Sequence, residues 1–404
     1  MGVERPQILT TDAHNETGSG DCDVVVVGGG PSGLIAARDL AVRGARVTVL
    51  EEHDRIGAPV HCTGVLGLDA FDELDLPRRA VVGAATSARF FSPNGTSVAI
   101  EAERVRAAVV DRASFDSDLA DAARDAGAAI HTGIRVVGLD RAPGSVVART
   151  AHGSVRARAA VIACGASYRL NRALGLGVPS VLVHSAQLEV PFPAIDDVEV
   201  HFGRSVAPGG FAWIVPFTRH GTFFARVGLL CERDAGTAFR MFAASIRQRY
   251  RIASEWGAPR LRVLPLAPID RTSTERILAI GDAAGLVKPT TGGGIYYGLL
   301  TGRLAAEVLA EALREDTLTA RRLKEYDRRW RARLGAEIRA GLAFRAMAAK
   351  LNDVTVDRLM ELARVDGIVP LLRQTADFNW HRSAARALLR HGEFRKIVLT
   401  SIFS

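Results

Sequence analysis

The spacing of apolar residues changes character three times along this chain. Near the N-terminus they come as short unbroken runs. Four consecutive valines, 24–27, have the length and β-branching of a strand buried on both faces. Residues 34–43 carry a helix-like pattern stopped by Gly44, and 45–50 form a second apolar strand. Around Asn94-Gly95, apolar and polar positions alternate over 85–103, which predicts a hairpin. A helix over 112–125 ended by Gly127, a strand near 134–139 and a hairpin over 145–163 extend the first sheet. From 181 to 264 the alternation is sustained and rich in aromatics, predicting an antiparallel sheet with a helix at roughly 236–250. A last apolar strand, 277–280, leads through glycines into a helical remainder. There Leu323, Tyr326, Trp330, Leu334 and Ile338 mark one apolar helix face, and shorter helices follow near 356–365, 370–374 and 381–391.

The turns between these elements carry the first chemistry. Gly28, Gly30 and Gly33 follow the valine strand as G-x-G-x-x-G, with Pro31 and Ser32 inside the motif. Gly28 permits the tight turn, Gly30 lets the backbone approach a pyrophosphate, and Gly33 brings the helix close to the strand. The free amides and positive end of the helix then hold phosphates. Glu51 ends the second strand, eighteen residues past Gly33, where a carboxylate accepts hydrogen bonds from an adenosine ribose. Glu52 adjoins it, and Arg55 is within reach of the adenosine phosphates. This unit alone leaves FAD and NAD(P) both open. A second glycine-rich stretch supplies Gly281 and Asp282 after a strand, then Gly292, Gly293, Gly294 and Ile295 at the start of a long helix. Val136 completes the expected cofactor-binding set.

The expected architecture is α/β. A Rossmann-type nucleotide-binding domain is assembled from 21–84, 104–178 and 262–312. A β-sheet substrate domain takes 85–103 and 179–261, a C-terminal helical region takes 313–404, and 1–20 is a flexible tail. The 404 residues, 48% of them hydrophobic, are enough for a large core. Four cysteines without a C-x-x-C pair argue against a zinc site, an iron–sulfur cluster or a disulfide framework, and no metal is expected. The first twenty residues lack an apolar signal core, and no run of eighteen apolar residues occurs. A cytoplasmic protein, or one peripheral to a membrane, is expected. A net charge of +8 favours anionic partners. Arg321, Arg322, Arg328, Arg329 and Arg333 form either a solvated face or one drawn to an anionic surface; nucleic acid is not an expected partner.

These motifs in this order resemble the FAD-dependent aromatic-hydroxylase superfamily and, more closely, the geranylgeranyl reductase family. The family fingerprint P-x-x-[YF]-x-W-x-[FV]-P is matched from Pro208 through Phe211 and Trp213 to Pro216. Its G-D-A-A-G…P-x-x-G-G-G-I stretch is matched from Gly281 to Ile295, with Pro289 in place. Its cysteine loop is matched from Pro59 to Gly64, including His61 and Cys62. The resemblance covers roughly residues 21–345. It implies FAD as cofactor, reduced by NAD(P)H or a ferredoxin-type donor, with Asp282 on a ribitol or ribose hydroxyl and Arg112 against the flavin. It implies reduction of carbon–carbon double bonds in an isoprenoid lipid or prenyl diphosphate. Reduced flavin N5 would give the hydride, Cys62 and His61 would be the catalytic pair, and Phe211, Trp213 and Pro216 would bind the chain. Phe211 stands where the family often has tyrosine, which removes a phenol donor. The hydroxylases' Asp-Gly pair is missing near Cys164-Gly165-Ala166. That absence weighs against the alternative of a monooxygenase or halogenase-like enzyme on an aromatic substrate. A third reading, an electron-transfer flavoprotein acting on quinone, would call for a C-terminal cysteine cluster, and no cysteine follows Cys231.

Overall fold

A computed structural model describes residues 21–60, 62–101, 106–365, 367–375 and 377–403. The expected tail and His61 lie outside these residues. The valine run is the strand Cys22–Val27, which lies in the middle of the first sheet. It pairs in parallel with Val47–Leu50 on one side and with Gly153–Ile162 on the other. Strands hydrogen-bonded on both edges and covered on both faces must be apolar throughout, and Val24, Val25 and Val26 are fully buried. Ala129–His131 and Ile277–Ala279 add further parallel strands. Val136–Ala142 and Ser145–Thr150 form an antiparallel meander leading into Gly153–Ile162.

Two helices cover this sheet, Pro31–Val42 and Ile295–Arg314. They approach so closely that a Cβ on Gly302 would lie 2.5 Å from the Ser32 carbonyl oxygen and 2.7 Å from Ile35, and one on Gly298 would strike the Ser32 side chain. The two glycines, one turn apart, therefore set the spacing of the layer.

The second sheet has seven strands, in the order Arg260–Pro265, Leu182–Pro191, Thr222–Cys231, Phe211–Arg219, Val198–His201, Ser87–Phe91, Ser97–Glu101. The sequence predicts it as antiparallel, but Val198–His201 pairs in parallel with Ser87–Phe91. Those strands are joined through four strands of the first sheet, among other elements, rather than by a hairpin, so no tight turn dictates their direction. Helix Ala235–Arg249 packs Phe239, Phe242 and Ile246 onto one face. A small sheet of Val65–Gly67, Ala107–Val110 and Val81–Ala85 bridges the two large ones.

The helix Ala320–Ala348 buries its predicted apolar face, with Trp330 Nε1 donating to Thr272 Oγ1 at 2.8 Å. Its arginines are mostly paired: Arg322 and Arg329 with Glu311, Arg328 with Glu325, Arg333 with Glu73. Beyond it, Asp353–Val365, Ile368–Thr375, Arg382–Arg390 and Gly392–Phe403 gather a separate apolar cluster around Leu351, Ile368, Phe394 and Val398. Among the described residues no helix is long and apolar enough to cross a membrane.

Candidate active site

One cavity of about 1780 Å³ runs between the two large sheets. At one end lies the first glycine turn. Gly28 has φ +111°, and a Cβ there would lie 2.4 Å from the Ala163 carbonyl oxygen. A Cβ on Gly33 would meet the Gly28 oxygen at 2.1 Å, so this glycine packs helix against strand behind the cavity wall. At Gly30 a Cβ would meet nothing within 4 Å, and the backbone borders open cavity. Glu51 is buried and accepts the Gly29 amide at 2.6 Å on one carboxylate oxygen and the His53 amide at 3.0 Å on the other. It therefore locks the turn from behind while also lining the cavity. Pro31, Ser32, Glu52, Arg55 and Val136 line the same end, with Glu52 paired to Arg135.

The second glycine stretch faces the first. Gly281 has φ +54°, and a Cβ there would lie 2.5 Å from Ser32 Oγ, so Gly281 holds the chain against the first helix. Asp282 turns into the cavity, and among the described residues nothing donates a hydrogen bond to its carboxyl group; burial raises its pKa against the pull of Arg112. A Cβ on Gly294 would meet Asp282 Oδ1 at 2.5 Å. Gly292, Gly293, Gly294 and Ile295 line the cavity where the helix Ile295–Arg314 begins.

Cys62 sits between the nucleotide end and the second sheet. Its Sγ accepts the Gly64 amide at 3.4 Å, and Arg112 lies within electrostatic reach of it. Arg112 in turn grips Asp116 through two bonds, 3.0 and 2.8 Å, and lines the cavity. Below the loop Arg226, 1% exposed, donates to the Thr63 and Val110 carbonyls at 2.6 and 2.9 Å and reaches Glu189 at 3.2 Å. Cys62 thus lies within electrostatic reach of two guanidinium groups, those of Arg112 and Arg226.

The far end is apolar. Phe211, Trp213 and Val215 alternate into the cavity with Phe90, Val198 and Val200 from the neighbouring strands. Phe211 and Trp213 have ring centroids 5.7 Å apart. Gly228, opposite Trp213 in the next strand, leaves room for the indole: a Cβ there would lie 2.6 Å from its ring. Pro216 is not brought to the cavity, because adjacent strand residues point to opposite faces and Pro216 shares the face of Ile214.

Sequence reasoning missed the C-terminal contribution. Leu372, Arg373, Asp377, Phe378 and His381 close one side of the cavity. Asn379, fully buried, donates to Asp69 at 2.6 Å, and Trp380 packs edge-on to Tyr296 at 5.8 Å with Arg333 4.7 Å over its ring. Lys288, also missed, is 5% exposed and donates to the Phe378 carbonyl at 3.0 Å. Burial pushes its pKa down to about 8, and burial with Lys288 beside it pushes that of His381 down to about 4. His381 also bonds to Thr290. The signal available was Lys288 itself, the one basic residue in the stretch from Gly281 to Ile295. Among the described residues no cluster of His, Cys, Asp and Glu could hold a metal ion.

These residues fit FAD. The open backbone at Gly30 and the unpaired start of its helix suit a pyrophosphate, while the Asp282 carboxyl offers itself to a sugar or ribitol hydroxyl. Fold and cavity together define a flavoprotein of the two-layer FAD-binding class, and residues 21–339 match the family model described as FAD binding domain. The digeranylgeranylglycerophospholipid reductase 1 of Methanococcoides burtonii is 32% identical over 356 residues, 83% of this chain and 86% of that protein. The enzyme of the same name in Methanothermobacter thermautotrophicus is 31% identical over 84% of this chain and 90% of its own length. A geranylgeranyl bacteriochlorophyll reductase-like protein of Thermoplasma acidophilum superimposes with a TM-score of 0.81, at 23% identity, over 94% of this chain and 99% of that one. The chain belongs to this FAD-dependent family and groups within it with the digeranylgeranylglycerophospholipid reductases.

Proposed function

We propose that this protein saturates carbon–carbon double bonds in the isoprenoid chains of a lipid, as the names of its relatives indicate for them. The observation that carries this is the continuity of one cavity from the glycine turns, past Cys62, to the Phe211–Trp213 wall. A prenyl alkene has no polar group to grip, so its position must come from shape and apolar contact, which the far end supplies. FAD, when bound and reduced, supplies the hydride. The chain's own residues hold the alkene in a dry slot, and Cys62 supplies or positions the proton for the other carbon. Arg226 holds the loop that carries Cys62 through the Thr63 carbonyl, and Arg112 adds a positive charge beside it. A geranylgeranyl glycerophospholipid is the substrate class we favour over a free prenyl diphosphate, again on the relatives' names.

The test is an anaerobic single turnover. FAD-loaded protein is photoreduced, mixed with a geranylgeranyl lipid in detergent, and the lipid is weighed by mass spectrometry. A gain of two hydrogens per double bond, matched to flavin reoxidation, is expected. An unchanged lipid together with substrate-triggered oxygen consumption on an aromatic compound would move the assignment to a monooxygenase. Cys62→Ser should slow alkene reduction by more than tenfold while leaving FAD content intact; an unaltered rate would remove Cys62 from proton delivery.

A further inference from the structure

The chemistry above gives Lys288 no role, yet its ammonium is buried in the wall of the cavity. An ammonium carries three donors. The Phe378 carbonyl takes one at 3.0 Å, and Asn379 Oδ1, at 3.5 Å, is at the outer limit of a hydrogen bond. The Phe378 ring, 4.3 Å away, adds a cation–π contact but accepts no conventional hydrogen bond. Asp69, Asp377, Cys62 and His381 are the titratable groups that interact with it electrostatically. A buried cation with an unfilled donor is costly unless a ligand completes its shell.

Its place says which ligand. Lys288 is folded under the glycine turn: its amide bonds the Gly293 carbonyl at 3.2 Å and its carbonyl accepts the Gly292 amide at 2.8 Å. A Cβ on Gly293 would lie 3.0 Å from Lys288 Cε and 3.7 Å from Nζ. The helix Ile295–Arg314 starts two residues after Gly293, with no side chain capping its N-terminus, and Gly294 and Ile295 line the same cavity. A helix N-terminus and an ammonium therefore converge where the lining is glycine backbone. Such a corner stabilises a group that gains negative charge.

We propose that Lys288 donates a charge-assisted hydrogen bond to the pyrimidine edge of reduced FAD and thereby favours the reduced cofactor. This rests on the reading of the cavity as an FAD site. Lys288 would hold the edge on which negative charge develops when bound FAD is reduced by an external two-electron donor, and would keep its own proton throughout. Arginine preserves the charge and the donor, methionine removes both.

Equilibrium photoreduction of FAD-loaded protein against a reference dye, at pH 7, measures the effect. Lys288→Met should weaken reduction by about tenfold, which for a two-electron couple is about 30 mV more negative. Lys288→Arg should remain near the wild type. If Lys288→Met does not retain FAD, Lys288→Gln is measured in its place, with the same shift expected. Coinciding midpoints for the wild type and the neutral variants would overturn the role of Lys288 and leave the proposed function standing. A wild-type protein that takes up no FAD would overturn both.

Discussion

Glu51 gives one carboxylate oxygen to each of two backbone amides, so its work is structural before a ligand arrives. Removing it leaves the Gly29 amide unpaired in a buried turn, a loss of about 1–3 kcal/mol. Glu51→Ala should weaken FAD binding at least about tenfold, read by ultrafiltration and flavin fluorescence, without altering the pattern of reduced products. Arg226 is a more severe case. It joins Thr63, Val110 and Glu189 from three elements, and losing one partner of a buried ionic network costs about 3–5 kcal/mol. Arg226→Met should therefore lower stability by about 3 kcal/mol in urea denaturation. The glycine turns were readable from sequence because each motif dictates backbone locally, within one turn of chain. Arg226 was not, since its partners lie 37, 116 and 163 residues away in sequence. Pro216 shows the opposite failure: a motif treats nine residues as one unit, whereas a strand sends alternate members to opposite faces.

Among elements, the segment Asp377–His381 between two short helices has no apolar period, and nothing in its sequence announces contact with residue 69 or 288. Its hold on the body of the protein is concentrated in a few polar contacts. Asn379→Ala should loosen it and speed air oxidation of reduced FAD severalfold, measured by the return of flavin absorbance. His381 adds a pH dependence of known sign. Burial holds its pKa at about 4, below the ordinary 6.5, so between those values the unfolded chain binds a proton that the folded chain refuses. Its contribution to stability is whole above pH 6.5 and declines as pH falls toward 4. A melting curve series across that window should show the decline, and His381→Gln should flatten it. The basic helix face was readable as a pattern, but its pairing with Glu307 and Glu311 depends on how the neighbouring helix lies.

The whole molecule divides its apolar contacts unevenly. The main core joins the first sheet, its helices and Ala320–Ala348, whereas the last helices gather their own small cluster. A chain ending at residue 349 should fold and bind FAD, yet lose most alkene reduction, because one wall of the cavity goes with the missing helices. Circular dichroism, flavin content and single-turnover assays would check the three parts separately. The parallel pairing of Ser87–Phe91 with Val198–His201 has a different consequence, one of order in time. The strand at 87–91 cannot find its neighbour until more than a hundred further residues have been made. At about 5–20 residues per second of synthesis it waits for several seconds with an unpaired edge. The hairpin turn at Asn94-Gly95 gives that edge a partner of its own, Ser97–Glu101, on one side while it waits. Ribosome-bound chains halted before residue 198 should therefore be the ones that chaperones capture.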